Sequence, residues 1–251
     1  MKPAHRRVTT DDFDAVLFDL DGVLTSTARV HSVCWKRMFD AFLEQRAADA
    51  GDAFVPFDID ADYKRYVDGK PRYDGVRSFL ESRGIELPYG DPADPPGALS
   101  ACGLGNRKDR LFNEVLAAEG AETYDGTIRW ARDLRARGMK TAVVSSSKNC
   151  KTIMEAAGIE GLFDVRMDGE IAQRLKIPGK PAPDTYLRAA EELGVRPDRA
   201  VVVEDALSGV EAGRRGGFGL VIGVDRHGDA DALRENGADI VVTDLAEMLD
   251  S

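Results

Sequence analysis

The chain contains the stretch Ala15-Val-Leu-Phe-Asp-Leu-Asp-Gly22, in which four apolar residues run directly into two carboxylates and a glycine. This pattern predicts a buried strand that opens into a turn. Because alternate side chains of an extended chain point to the same side, Asp19 and Asp21 converge at the strand end. Like charges that close raise each other's pKa unless a cation or a proton intervenes. The pair therefore indicates bound Mg²⁺, a shared proton or both, or else a plain solvated turn.

The composition describes the class of protein. The 251 residues are 43% hydrophobic and 31% charged, as in an ordinary soluble protein of one large or two modest domains. The net charge of -10 argues against a general nucleic-acid or anionic-membrane binder. Three widely spaced cysteines without a CxxC pattern favour reduced thiols, and no apolar run approaches the ~20 residues of a membrane span. We expect a cytoplasmic monomer without nucleic-acid or membrane partners.

Short apolar runs alternate with helical patterns through the second half of the chain, which predicts βαβ units and a parallel sheet. The predicted strands are 15–18, 140–144, 163–167, 200–203, 220–222 and 240–242. The helices predicted between and after the later strands are 149–157, 183–193, 208–215, 231–236 and 245–249.

The first and second predicted strands are separated by a segment with only helical patterns. These patterns cover residues 30–46, 62–67, 75–83 and 107–119. In the first of them, Val33, Met38, Ala41 and Phe42 are expected on one apolar face. We therefore predict an α/β core domain of residues 1–29 and 123–251, interrupted by a helical domain of residues 30–122.

Chemically useful groups follow three of the predicted strands, and another precedes a helix. In open α/β sheets, ligands bind at the carboxyl ends of the strands. Besides Asp19 and Asp21, the groups are Ser145-Ser-Ser-Lys-Asn149, Gly179-Lys-Pro181 and Glu204-Asp205. Each has a simpler explanation when taken alone: a helix N-cap, a solvated lysine, or acids in a first helical turn. Their combination in this order favours a phosphoryl-transfer site.

Each residue type suits one task in that chemistry. Asp19 is the candidate nucleophile that attacks phosphorus, and Asp21 is the candidate general acid and base. Hard oxygen ligands for Mg²⁺ would come from Asp19, Glu204 and Asp205. Ser145 and the nearby helix amides would bind phosphate oxygens, and Lys180 would neutralise charge on the transferring group.

With these motifs, the chain resembles the haloacid dehalogenase superfamily over nearly its full length. The resemblance rests on Phe18-Asp-Leu-Asp-Gly-Val23, Val144-Ser-Ser-Ser147, Gly179-Lys-Pro-Ala-Pro-Asp184 and Val203-Glu-Asp205. It implies a Rossmann-like core, dependence on Mg²⁺, and a helical cap, inserted after the first strand, that closes over the substrate. It also implies that Asp21 contributes its backbone carbonyl to the metal.

Further residues match one group of the superfamily: Asp21-Gly-Val-Leu-Thr-Ser-Thr27, His31, Trp35, Gly69-Lys-Pro-Arg72, Arg107-Lys108 and Ser145-Ser-Ser-Lys-Asn149. On these residues the chain is most similar to the β-phosphoglucomutase group. That similarity implies that Arg72 binds the phosphate distal to the reaction and that Thr27 lies in the cap hinge. The remaining substrate-binding residues that it implies are His31, Trp35, Gly69, Lys108, Ser147, Lys148 and Asn149. Three features depart from the group's pattern. Ser26 stands where Asp is common, Pro71 precedes Arg72, and the cap is enlarged by the stretches around residues 47–60 and 85–103.

Three functions are compatible with these residues. In a phosphosugar mutase, phosphorylated Asp19 would pass its phosphoryl group to β-glucose 1-phosphate and then take back the other phosphate of the 1,6-bisphosphate. In a sugar-phosphate phosphatase, water would attack the same aspartyl phosphate. A receiver-type signalling module also uses a phosphorylated Asp, but it needs neither the acid Asp21 nor a large helical insert. We expect the mutase, acting on a small phosphorylated sugar.

Overall fold

The computed structural model describes residues 8–226 and 228–249, and the chain divides into two compact units. The core unit is formed by the chain up to Ser26 and from Ala121 onward. The helical unit is formed by Thr27–Gly120. The chain thus crosses between units slightly before residues 29 and 122, where the sequence predicts the crossings.

A six-stranded parallel sheet forms the centre of the core unit, which confirms the predicted α/β fold. The strands are β1 (Ala15–Phe18), β2 (Lys140–Val144), β3 (Val165–Met167), β4 (Ala200–Glu204), β5 (Leu220–Val224) and β6 (Ile240–Val242). Their order is β3-β2-β1-β4-β5-β6. Phe18 is level with Val143 on one side and Val203 on the other, so the carboxyl ends of β2, β1 and β4 lie side by side.

Nine α-helices accompany the strands in the described part of the chain. They are α1 (Ala28–Ala50), α2 (Arg72–Ser82), α3 (Ala101–Glu119), α4 (Asp125–Ala136), α5 (Cys150–Ala157), α6 (Gly169–Leu175), α7 (Asp184–Leu193), α8 (Leu207–Arg215) and α9 (Ala230–Glu235). The sequence did not predict α4 or α6. The last predicted helix is a short 3₁₀ segment, Leu245–Met248.

Both faces of the sheet are covered, which explains why most residues of its strands are apolar. Ala15 and Leu17 belong to the apolar cluster that includes Tyr186 and Ala189 of α7. On the opposite face, the ring of Phe18 packs edge-on against Trp130 of α4, with the ring centroids 5.5 Å apart. α7 ends as the sequence predicts, at Gly194 with a φ of +66°.

The helical unit has its own apolar core, built on α1, α2, α3 and a π-helical segment, Ile59–Val67. At its centre the rings of Phe39, Phe57 and Phe79 lie with centroids 4.2–5.1 Å apart. The expectation for Val33 was wrong: its side chain is 40% exposed, because the buried face of α1 is formed by the neighbouring Cys34 and Trp35 and by residues one turn on.

The three cysteines, Cys34, Cys102 and Cys150, are free thiols, and each is buried. A thiol in an apolar interior behaves as a small apolar side chain. Of the helices in residues 8–226 and 228–249, none combines the length and the apolar character needed to cross a membrane.

Candidate functional site

The carboxyl edge of the sheet brings together the groups that the sequence places after β1, β2 and β4. Asp19 follows β1 directly, and its amide donates a hydrogen bond to the carbonyl of Val203 at 2.9 Å. Ser145 follows β2, and its amide bonds to the carbonyl of Met167 at 2.9 Å. Glu204 is the last residue of β4. The backbone of the sheet therefore fixes the starting point of each side chain.

Lys180 links two of these strand ends. Its Nζ lies 2.5 Å from Oδ1 of Asp19 and 2.5 Å from Oε1 of Glu204, and it donates to the carbonyl of Val144 at 3.0 Å. The lysine is 2% exposed. Burial alone would lower the pKa of Lys180, but the two carboxylates outweigh that effect and raise the pKa above its ordinary value. Lys180 is therefore a buried, protonated side chain at the carboxyl edge of the sheet.

Asp19 lies in a strongly perturbed environment. Burial raises the pKa of its carboxyl well above the ordinary value, and the charges of Glu204 and Asp21 add to that rise against the opposing effect of Lys180. A buried carboxylate that must remain ionised as a nucleophile needs more positive charge than one lysine supplies. A divalent cation bound at this edge would supply it.

The acidic groups at this edge fit such a cation. Asp19, Glu204 and Asp205 each present an oxygen within 4.8 Å of the others, and carboxylate oxygens are the ligands that Mg²⁺ prefers. Gly22 makes room for this group, because a Cβ atom there would lie 1.8 Å from Oδ2 of Asp205. The side chain of Asp21 is not among these carboxylates. The resemblance implies a metal contact for Asp21 through its backbone carbonyl, so its side chain is not expected in this group.

A loop after β2 presents polar groups at the same edge of the core unit. The Oγ atom of Ser145 accepts a hydrogen bond from the amide of Ser147 at 3.0 Å, and Oγ of Ser147 accepts one from the amide of Asn149 at 3.1 Å. A serine whose oxygen accepts still has its hydroxyl hydrogen to donate. Lys148 lies in this loop with its side chain partly exposed. The loop therefore gathers hydroxyl groups, amides and an ammonium ion before α5 begins.

In the helical unit, Lys108 is surrounded by rings. It is only 4% exposed; its Nζ contacts Nδ1 of His31 and lies 5.3 Å from the ring centroid of Trp35 and 4.9 Å from that of Phe112. The ring of His31 stacks on Phe112 with the centroids 4.0 Å apart. Three predicted substrate residues, His31, Trp35 and Lys108, thus form one cationic and aromatic cluster.

Arg72, at the start of α2, pairs with an aspartate rather than with the residues of that cluster. Its Nη2 is 2.5 Å from Oδ1 of Asp109, and the arginine side chain is 13% exposed. Gly69 precedes α2 in a turn with a φ of +69°. Thr27 is buried immediately before α1, and its carbonyl accepts a hydrogen bond from the amide of His31 at 2.9 Å.

Sequence reasoning missed three residues that contact the predicted groups. Tyr186 is fully buried and donates a hydrogen bond to Oε1 of Glu204 at 2.8 Å. Arg226 donates from Nε to the carbonyl of Gly22 at 2.7 Å, and Asp109 pairs with Arg72. Of these, only Tyr186 had a signal: it stands on the apolar face of a helix, where a buried hydroxyl group needs a partner.

The chain is similar in sequence to known proteins. A family model described as haloacid dehalogenase-like hydrolase matches residues 13–217. The chain is 54% identical to a beta-phosphoglucomutase of Mycobacterium bovis, over 94% of this chain and 91% of the relative. It is 39% identical to a trehalose-phosphate phosphatase of Mycobacterium leprae, over 50% of this chain and 28% of the relative.

A solved structure has the same fold. The crystal structure of beta-phosphoglucomutase from Clostridium difficile matches with a TM-score of 0.74 and 21% identity, covering 94% of this chain and 93% of that one. At this identity the likeness bears on the fold, and the assignment of the residues has to come from the site itself.

Proposed function

Because this chain belongs to the haloacid dehalogenase-like hydrolase family, we propose that it is a Mg²⁺-dependent phosphosugar mutase of the β-phosphoglucomutase type. The proposed reaction converts β-glucose 1-phosphate to glucose 6-phosphate through the 1,6-bisphosphate. The observation that best supports phosphoryl transfer is the pair of contacts that Lys180 makes with Asp19 and Glu204, each at 2.5 Å. The choice of a sugar phosphate as substrate is supported by the 54% identity with the beta-phosphoglucomutase of Mycobacterium bovis.

The chemical step needs a nucleophile, an acid and positive charge. Asp19 attacks phosphorus and becomes an aspartyl phosphate, while Asp21 gives its proton to the departing sugar oxygen. Lys180 holds Asp19 in place and offsets charge on the transferring group. Bound Mg²⁺, held by Asp19, Glu204, Asp205 and the carbonyl of Asp21, would supply further charge stabilisation. In the second half of the cycle, Asp21 takes the proton from the attacking hydroxyl group.

A mutase must also hold the phosphate that is not reacting. We propose that two cations of the helical unit, Arg72 and Lys108, bind the sugar phosphate. The other substrate-binding residues that we propose in this unit are His31, Trp35 and Gly69. The core unit would contribute Ser147, Lys148 and Asn149. A guanidinium group suits a phosphate because its parallel N–H groups match two phosphate oxygens.

A phosphatase is the second candidate, and one relative favours it. The Mycobacterium leprae protein that matches half of this chain is a trehalose-phosphate phosphatase. The same Asp19, Asp21 and Lys180 would serve that reaction, with water in place of a sugar hydroxyl group as acceptor. The two functions therefore differ in the fate of the aspartyl phosphate rather than in how it forms.

One assay separates the two functions. The protein is incubated with β-glucose 1-phosphate, Mg²⁺ and a trace of the 1,6-bisphosphate, and both glucose 6-phosphate and inorganic phosphate are measured. The mutase predicts glucose 6-phosphate with little free phosphate. Release of inorganic phosphate in step with substrate loss would instead identify a phosphatase. The α anomer in a parallel reaction is the control for substrate choice.

A further inference from the structure

Arg226 lies just after β5 and is fixed on three sides. Its Nε donates to the carbonyl of Gly22 at 2.7 Å, and its Nη1 donates to the carbonyl of Thr243 at 3.1 Å. Its guanidinium carbon lies 3.6 Å from the ring centroid of Tyr124, which is a close stacking contact. Three contacts hold the guanidinium group in one orientation. Arg226 can therefore fix the position of the backbone to which it donates.

The group that it binds is the turn that carries Asp21. The amide of Gly22, which shares a peptide plane with the carbonyl of Asp21, donates to the carbonyl of Thr25 at 2.7 Å. Arg226 holds the carbonyl of Gly22, which belongs to the next plane along the chain. Gly22 has a φ of +91°, where glycine alone is unstrained, so its two flanking planes need these external contacts to stay fixed.

The stacking contact of Arg226 with Tyr124 reaches the segment that returns to the core unit after residue 120. The amide of Tyr124 donates to the carbonyl of Leu24 at 3.0 Å, and Thr25 forms an antiparallel bridge with Thr123. The guanidinium group therefore binds the outgoing turn through Gly22 and stacks on the returning segment through Tyr124. All of these residues belong to the core unit.

We propose that Arg226 is a positioning residue for Asp21. By fixing the turn at Gly22, it keeps the Asp21 carboxyl where it can protonate the leaving oxygen as the bond from that oxygen to phosphorus breaks and the bond from Asp19 to phosphorus forms. This inference rests on the proposed role of Asp21 as general acid. A purely structural role would instead make Arg226 matter equally for every phosphoryl donor.

Two donors with different leaving groups test the inference. Phosphorylation of Asp19 is followed in single turnovers at saturating Mg²⁺, with p-nitrophenyl phosphate and with glucose 1,6-bisphosphate. A nitrophenolate ion leaves without a proton, whereas a sugar oxygen needs one, and general acid catalysis is worth ~10²–10⁴-fold. We expect Arg226→Lys to slow transfer from the bisphosphate by ~10-fold or more, and transfer from the aryl phosphate several times less.

Matched variants complete the experiment. Arg199→Lys is the control, because Arg199, like Arg226, donates to two backbone carbonyls of the core unit, here those of Asp11 and Thr10, which precede β1. It also binds the carboxylate of Asp14. We expect it to leave both rates within about twofold. In an Asp21→Asn background, Arg226→Lys should cause no further loss with the bisphosphate, since its effect passes through Asp21.

The outcomes are separable. Equal losses with both donors, or losses that add in the double variant, would overturn the positioning role. If the wild-type protein releases only inorganic phosphate, the mutase proposal fails, but the comparison of leaving groups still decides the role of Arg226. If neither donor phosphorylates Asp19, the phosphoryl-transfer proposal and this inference both fail.

Discussion

Tyr186→Phe is expected to destabilise the core unit and to leave its fold intact. The hydroxyl group of Tyr186 donates to Oε1 of Glu204 at 2.8 Å, and both side chains are fully buried. Burial, followed by the charge of Glu204, raises the pKa of Tyr186 well above its ordinary value, so the hydroxyl group stays protonated and remains a donor. Removing one oxygen atom therefore removes a hydrogen bond to a buried carboxylate.

The contacts that remain limit the size of the effect. A hydrogen bond to a charged group contributes about 1.5–3 kcal/mol. Glu204 would still contact Nζ of Lys180 at 2.5 Å and the amide of Ala206 at 3.3 Å, so its charge stays paired. We therefore expect the lower part of the range, ~1.5–2 kcal/mol, and not the ~3–5 kcal/mol of an unpaired buried charge. For a chain of this length that is a fall in Tm of ~3–8 °C.

The measurement is thermal and urea unfolding without Mg²⁺, followed by tryptophan fluorescence. In a Trp35→Phe background, Trp130 is the remaining tryptophan and reports on the core unit. Tyr66→Phe is the matched control, because the hydroxyl group of Tyr66 makes no hydrogen bond within the described residues; its effect should stay within ~0.5 kcal/mol. If the two tyrosine variants unfold at the same urea concentration, the magnitude derived for the Glu204 bond is wrong.

Three further predictions follow from the site and the burial of the thiols. Asp19→Asn should abolish turnover, because an amide is not a nucleophile; ³¹P spectra should show no aspartyl phosphate, and turnover close to wild type would refute the assignment. Arg72→Ala should raise the KM for glucose 1,6-bisphosphate ~10- to 100-fold, the equivalent of a charged hydrogen bond, while transfer from p-nitrophenyl phosphate changes little; equal losses would contradict it. Burial raises the pKa of Cys34 and, further, of Cys150, so both thiols stay protonated at pH 8 and should react with a disulfide reagent only after unfolding. Rapid labelling of either cysteine in the native protein would count against their burial.

The sheet could be predicted because its signal is local. β1 is apolar throughout and β2 is apolar from Ala142 onward, and the structure has the bounds that the sequence predicts for both. The convergence of Asp19 and Glu204 follows from parallel strands whose carboxyl ends share one edge. Lys180 was harder, since it precedes a helix rather than following a strand. It was found through a motif, and its contacts with both carboxylates came from the structure.

The failures have physical causes. α4 was missed although Ile128, Ala131 and Leu134 recur at intervals of three, because arginines and an aspartate separate them in the sequence. α6 has only seven residues, too few for a clear period. The error at Val33 is one of rotation: a shift of one residue turns a helix by about 100°, which exchanges the buried Cys34 for an exposed neighbour.

Contacts between distant parts of the chain lay beyond sequence reasoning. The hydrogen bond from Arg226 to Gly22 joins the last part of the core unit to its first turn. Nothing in the residues around either position selects the other as a partner. The same is true of Arg72 and Asp109, which come from different helices. Charged residues that position other residues are hard to recognise from the sequence, because their local sequence resembles that of ordinary surface charges.

The pairing of β1 affects the order in which the protein can assemble during synthesis. Ala15 pairs with Lys140 on one side and with Ala200 on the other. A ribosome therefore releases the central strand long before either neighbour exists, and pairings this distant in sequence are slow to form. Residues 27–120, made in the interval, have an apolar core of their own to collapse around. We expect nascent chains that stop before residue 140, which lack both neighbouring strands, to bind chaperones through the unpaired Ala15–Phe18 segment.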